Sequence, residues 1–353
     1  LVKKTLKLDT YFMVKINFFR FSSLLVLILV CWWSQSKAQD PLFSQYFASA
    51  IHINPAFTGL NDAPKFALNY RNQLPLLGSY NTYVTYSATY DQYFESLNSG
   101  FGLQLLSDEA GDGILKNNKI ALNYGYRIPL LAKGHYIKGG LELGFVNFRY
   151  DWNKFLFGDQ IRDLETGSIG PGGTPYSTSE VRPAKTSTNY FDIGAGMLYY
   201  TPNYYVGVSL KHINTPKNDI LESNQAAFNG LPVRWIVHGG FNYYLNRDNT
   251  QYLSPALMIA KQSEFFQLNI GSNYNFSMLF AGLWYRHARV NSDALIFVLG
   301  FQKDKWKLGY SFDFTTSSLG IENGGSHELS LLFQMKQNPK KKAVVSDCFK
   351  AFQ

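Results

Sequence analysis

From about residue 64 to residue 335 the chain changes polarity at almost every step, a pattern that few folds accommodate. Leu308, Tyr310, Phe312 and Phe314 alternate with Lys307, Gly309, Ser311 and Asp313. Phe266, Leu268, Ile270, Tyr274 and Phe276 alternate with Gln267, Asn269, Gly271, Asn273 and Asn275, and Leu329, Leu331, Phe333 and Met335 with Glu328, Ser330 and Gln334. Successive side chains of a strand point to opposite faces, so a period of two predicts strands with one apolar and one polar face. Fourteen segments of this kind are expected, at 64–71, 80–91, 98–106, 115–128, 135–150, 189–200, 203–212, 232–246, 251–261, 264–276, 278–289, 293–302, 305–316 and 326–335. The connections 92–97, 129–134, 201–202, 247–250, 277 and 303–304 are all short, whereas the long ones, 151–188, 213–231 and 317–325, belong to the alternate set. An even strand number, short turns at one end and long loops at the other are the marks of an outer-membrane barrel.

A soluble sandwich also alternates, but it buries its bulky apolar face. Here the polar face carries Lys138, Glu142, Asp192, Lys211, Asp313 and Glu328 among many Gly and Asn residues, which suits a lumen better than a dry core. Tyr90, Tyr199, Tyr200, Tyr204, Tyr205, Tyr243 and Tyr244 near strand ends are expected to form interfacial girdles. Composition agrees: aromatic and charged residues are each 16%, against about 25% charged in ordinary soluble domains. The mean hydropathy of −0.16 is too low for a helical membrane bundle, and after residue 38 no apolar run approaches the roughly 20 residues a spanning helix needs. The expected fold is therefore all-β, a transmembrane outer-membrane β-barrel of about 14 antiparallel strands over 64–335.

The flanks differ. Residues 1–38 read as a signal peptide: Lys3, Lys4, Lys7, Lys15 and Arg20, an apolar run from Phe21 to Trp33, then Ser36-Lys37-Ala38. A start at Met13 would leave a more compact leader. The formal net charge is +8; the leader holds six basic groups against Asp9, so no basic stripe remains to bind nucleic acid. Beyond it only Cys348 is left, which excludes an intramolecular disulfide. Residues 336–353 form a basic tail around Lys340–Lys342. Residues 39–63 contain Pro41, Pro55 and Gly59 and are not a strand. They are expected to plug the barrel: Phe43, Tyr46, Phe47 and Phe57 pack inside or beneath it, Pro55 and Gly59 set turns, and Asn54 satisfies local backbone. The other use of this segment, with Asp40, Ser44 and Gln45, is to face periplasmic partners.

Catalytic chemistry is not visible. The six histidines lack a metal-binding i, i+4 pair, and neither a nucleophile elbow nor a phosphate loop occurs. Gly194-Ala195-Gly196 lies within a strand pattern, and Asp108, Glu109 and Asp112 lack the spacing of a calcium loop and read as a solvated outer turn. No enzyme activity, metal or cofactor is expected.

Asp40-Pro41-Leu42-Phe43-Ser44-Gln45-Tyr46, then Asn54-Pro55-Ala56-Phe57-Thr58-Gly59, resembles the opening of the PorP/SprF family of type IX secretion system outer-membrane proteins of Bacteroidetes. Arg71-Asn72-Gln73 is similar to its Arg-x-Gln element, with Leu74 where Trp is usual. Gly207 to Asn214 with Pro216, Gly309 to Phe314 and Gly325 to Leu331 resemble its central and C-terminal stretches. The resemblance implies a non-enzymatic outer-membrane barrel of a Gram-negative cell. It would support secretion or surface attachment of a cargo protein with a type IX sorting domain, such as a gliding adhesin, and some members contact periplasmic ring components of the secretion machine. Two other readings stay open: a passive or selective pore lined by Lys138, Glu142, Lys211 and Asp313, and a display barrel that binds through loop 151–188.

Overall fold

The computed structural model describes residues 40–61, 63–76, 82–131, 134–161, 176–217, 230–289, 293–316 and 324–335; the leader, the basic tail with Cys348, and Gly170–Gly173 lie outside them. The strands are β1 (Lys65–Gln73), β2 (Tyr83–Phe94), β3 (Ser99–Ala110), β4 (Leu115–Pro129), β5 (Tyr136–Tyr150), β6 (Ser187–Tyr200), β7 (Tyr204–Lys211), β8 (Arg234–Phe241), β9 (Tyr243–Tyr244), β10 (Gln251–Gln262), β11 (Phe265–Phe276), β12 (Leu279–Ala288), β13 (Ala294–Lys303), β14 (Trp306–Thr315) and β15 (Ser326–Gln334). Each stave pairs antiparallel with its sequence neighbours, and β1 closes on β15 from Lys65 opposite Gln334 to Gln73 opposite Ser326. Closure leaves no free sheet edge, the condition for strands to lie in lipid. Among the described residues no helix is long and apolar enough to cross a membrane.

Fourteen strands form the ring. The two-residue β9 is not a stave of its own: Gly240 lies opposite Ala256 and Tyr243 opposite Leu253, so β8 and β9 meet β10 in one register. The expected strand 232–246 is therefore broken, and the cause sits across the seam. Pro255, opposite Phe241, has no N–H to donate to the ladder. Ser254 bridges the gap by donating its hydroxyl to Asn242 Oδ1 at 2.7 Å. The expected strand 98–106 runs on to Ala110, because Asp108 accepts from Thr85 Oγ1 at 2.6 Å and Glu109 pairs with Lys116 at 2.9 Å across the sheet. Those two acids are thus strand residues, not members of a solvated turn.

Alternation sorts the side chains as the pleat requires. Leu68, Leu122, Leu141, Phe191, Leu283 and Leu299 face outward and are exposed, part of an apolar belt far larger than a soluble protein presents. Asn69, Gln104, Asn123, Glu142, Ser209 and Ser311 face inward and are buried. The tyrosine girdle needs one correction. Tyr204 and Tyr243 are exposed on the outer face, but Tyr200 and Tyr205 are buried inside. In adjacent pairs such as Tyr199-Tyr200 and Tyr204-Tyr205, the period of two sends one ring out and the other in.

Candidate functional site

The interior is occupied by the chain's own residues from Leu42 to Ala63, each described one of which is buried. Local chemistry folds this stretch compactly. A one-turn helix, Ala50–Ile53, ends at Asn54, whose Oδ1 accepts from Ala56 N at 2.9 Å and caps the turn Pro55–Phe57. Proline at the first position of that turn gives up no useful donor. Asn54 Nδ2 donates to the carbonyls of Met197 and Val208 at 3.1 and 3.2 Å, tying the turn to β6 and β7. Tyr46 and Phe47 pack on Trp284 with ring centroids 5.4 and 6.2 Å apart, and Phe57 stacks on His238 at 5.2 Å. The wall accommodates this backbone with glycine: a Cβ at Gly140 would overlap Ala56 N, and one at Gly100 would overlap Thr58 O. Beside Tyr46 and Phe47 a gap of only about 10 Å³ remains.

Three sets of buried charges lie inside the ring; the first and third hold the segment, and the second pairs wall residues with one another. In the first, Glu328 accepts from the backbone N–H groups of Ser44 and Gln45 at 2.7 and 2.9 Å. Ser44 Oγ donates to Asp313 at 2.6 Å. Arg71 lies 3.1 Å from both Asp313 and Glu328, and Arg286 lies 2.7 Å from Asp313. Gln45 donates to Ser311 Oγ and to Glu328 O, and accepts from Ser330 Oγ at 2.7 Å. In the second, Lys119 bridges Glu142 and Asp192 at 2.7 and 2.6 Å, Lys211 also pairs with Glu142, and His212 Nδ1 lies 2.8 Å from Asp192. In the third, Lys138 donates to Thr58 O, Gly59 N donates to Asp91 at 2.9 Å, and Arg127 covers the Tyr93 ring at 3.9 Å. Unlike charges held this closely inside a protein lose much of their solvation, which their mutual pairing offsets.

The candidate residues fall as follows. Phe43, Ser44, Gln45, Tyr46, Asn54, Pro55 and Gly59 are buried, whereas Asp40 and Pro41 are half-exposed. Lys138, Glu142, Lys211, Asp313 and Glu328 all face inward and are buried, but they do not meet in one cluster. Asp313 and Glu328 hold Ser44 and Gln45, Glu142 and Lys211 pair with each other, and Lys138 serves Thr58. Arg71, Arg286, Lys119 and Asp192 complete these groups. Sequence marked Arg71 only as part of a motif and Asp192 only as a polar-face residue. Arg286 and Lys119 were signalled by nothing but inward parity.

On the rim that carries the long connections, Trp152, Phe155 and Phe157 cluster, with Trp152 and Phe157 centroids 4.6 Å apart. Nearby, Asp159 accepts from Ser179 N, Ser179 Oγ and Thr178 Oγ1 at 2.7, 2.9 and 3.0 Å. The rest of that connection, 162–175, lies outside the described residues. Among the described residues no group of three or more His, Cys, Asp or Glu is placed to hold a metal ion. Asp112, the third acid of the 108–112 group, is exposed and lies 3.9 Å from Lys154.

A family model described as type IX secretion system membrane protein PorP/SprF matches residues 35–333. No curated protein matches the chain. Among solved structures, the Acinetobacter baumannii outer membrane protein Omp33 is 8% identical, with 79% of this chain and 100% of that one covered and a TM-score of 0.43. The Pseudomonas putida toluene transporter TodX is 12% identical, covering 81% and 93%, with a TM-score of 0.45. A Rhodopseudomonas blastica porin is 7% identical, covering 77% and 99%, with a TM-score of 0.33.

Proposed function

This chain belongs to the PorP/SprF family of type IX secretion system membrane proteins, and from that premise we propose that it works as a plugged, non-enzymatic barrel that holds a secreted or surface-attached cargo protein. It is an outer-membrane β-barrel with residues 42–63 as its plug. The observation that carries the reading is the filled interior. A solute pore needs a continuous wet path, whereas here wall glycines and two sets of buried charges grip the chain's own segment, and a third set of buried charges is paired across the wall. That arrangement weighs against the passive or selective pore and leaves the two rims as the surfaces that act. The cargo is a protein with a type IX sorting domain, and periplasmic ring components of the secretion machine meet the short-turn rim.

Affinity purification of the full chain from detergent-solubilised outer membrane tests this. Co-purification of a large protein bearing such a sorting domain, lost when the rim connection 151–186 is replaced by a short linker, is the expected result. Recovery of the barrel alone from cells that express the cargo would remove the proposal.

A further inference from the structure

The plug has a direction. Ser44 is held by Arg71, Arg286 and Asp313, with Glu328 gripping its backbone N–H. Arg71, Arg286 and Asp313 each stand two residues before the end of β1, β12 and β14, and Glu328 stands two residues after the start of β15. All four strand ends open on the long-connection side. At the other end of the segment, Gly59 bonds Asp91 near the end of β2, Leu60 O accepts from Arg127 near the end of β4, and Thr58 O accepts from Lys138 near the start of β5. Those three ends open on the short-turn side. The segment therefore descends from the long-connection rim at Ser44 to the short-turn rim at Leu60, where it feeds β1. Pro41, just ahead of Ser44, is half-exposed, whereas Leu42 to Asn61 are all buried.

Long connections mark the outer face of an outer-membrane barrel. We infer that the leading end of the plug, Pro41 to Gln45, opens toward the cell exterior, and that the latch of Arg71, Arg286, Asp313 and Glu328 is a peptide-binding subsite reached from outside. The inference rests on the plugged-barrel reading and gives it a point of contact. The ligand class follows from what the latch now holds: two successive backbone N–H groups, one hydroxyl and one carboxamide, the groups of a Ser-Gln turn. Exchange for a partner's peptide of that chemistry leaves no charge stranded, because Arg71 pairs with Asp313 and Glu328, and Arg286 with Asp313, without Ser44 or Gln45. A lone buried charge would forbid such an exchange; a paired set permits it.

The test uses the full chain with Cys31 and Cys348 changed to Ser, carrying one new thiol at a time. Pro41→Cys is compared with Asn153→Cys on the long-connection rim and Glu95→Cys on the short-turn rim, both exposed. Intact cells are treated with a membrane-impermeant maleimide. Pro41→Cys and Asn153→Cys are expected to label, and Glu95→Cys only after the outer membrane is permeabilised. Labelling of Asn153→Cys but not of Pro41→Cys in intact cells overturns the inference and leaves the barrel reading standing. Failure of Asn153→Cys to label from outside overturns both. In purified barrel that keeps its heat-modifiable mobility, Glu328→Gln is expected to raise the Pro41→Cys labelling rate several-fold. The probe peptide Leu-Phe-Ser-Gln-Tyr-Phe is expected to do the same, and Leu-Phe-Ala-Ala-Tyr-Phe is not. Equal rates with the two peptides would rule out exchange at the latch.

Discussion

Two neighbouring glycines show how sharply position decides consequence. Gly140 faces inward against the Pro55–Ala56 backbone, while nothing lies within 4 Å of a Cβ built on Gly139. Gly140→Ala must push the plug backbone aside, and overpacking of this kind costs about 1–3 kcal/mol. Gly139→Ala adds a methyl group to open space. The midpoint of the heat-induced mobility shift should fall clearly for the first and stay within error for the second. Outside the membrane, Asp159 offers a pH-dependent contact. The Ser179 backbone N–H, followed by the Ser179 and Thr178 hydroxyls and the Gln160 N–H, lowers its carboxyl from the ordinary 3.8 to about 2. A depressed carboxyl stabilises the folded loop fully above the ordinary value, and that contribution disappears as pH falls through about 2. Titration of the Asp159 carboxyl by NMR should therefore give a midpoint near 2, and Ser179→Ala should move it back toward 3.8. An ordinary midpoint in the unsubstituted chain would contradict the contact.

At the scale of the strand, the seam between β8–β9 and β10 is the irregular part of the wall. Its cause is a single ring: Pro255 withholds one donor opposite Phe241, and the strand is read as two. Pro255→Thr returns that donor and adds a β-branched residue suited to a pleated surface. One uninterrupted strand from Arg234 to Tyr244 is expected, with slower amide exchange at Phe241 to Tyr243 and a gain of about 1 kcal/mol for the new hydrogen bond. Unchanged exchange would place the cause of the break elsewhere. The plug follows a different local logic. Asn54 serves as a cap for one turn and as a tie to two strands, so a short irregular segment finds partners for its polar groups in a space where water is excluded.

For the whole molecule, wall and plug are one object: inward Gly100, Gly140, Trp284, His238, Asp91, Lys138, Asp313 and Glu328 meet residues 42–63, while Lys119, Glu142, Asp192 and Lys211 pair across the wall. The intact barrel should show almost no single-channel conductance in a planar bilayer. Deletion of residues 40–59 should produce steady open steps, because a fourteen-strand ring emptied of its contents has room for a wet lumen. Closed traces after the deletion, from protein that still runs as a folded barrel, would mean that the extracellular connections and not the plug seal the ring.

Most of the wall was legible because a strand's chemistry is local. A period of two records which side chains meet lipid, and connection parity records the two ends, so fourteen staves could be placed within a few residues without any tertiary information. Errors arose where the cause lay on another strand: Pro255 breaks a ladder some fourteen residues earlier in the chain, and Thr85 and Lys116 prolong β3. The polar face was recognisable as inward, yet its pairings were not, since Arg71 reaches Glu328 and Asp313 across most of the chain length. No periodicity encodes such a pairing. It exists because closing the ring brings β1 beside β15, which gathers Arg71, Asp313 and Glu328 around Ser44 at the long-connection rim, while Leu60 lies at the short-turn rim.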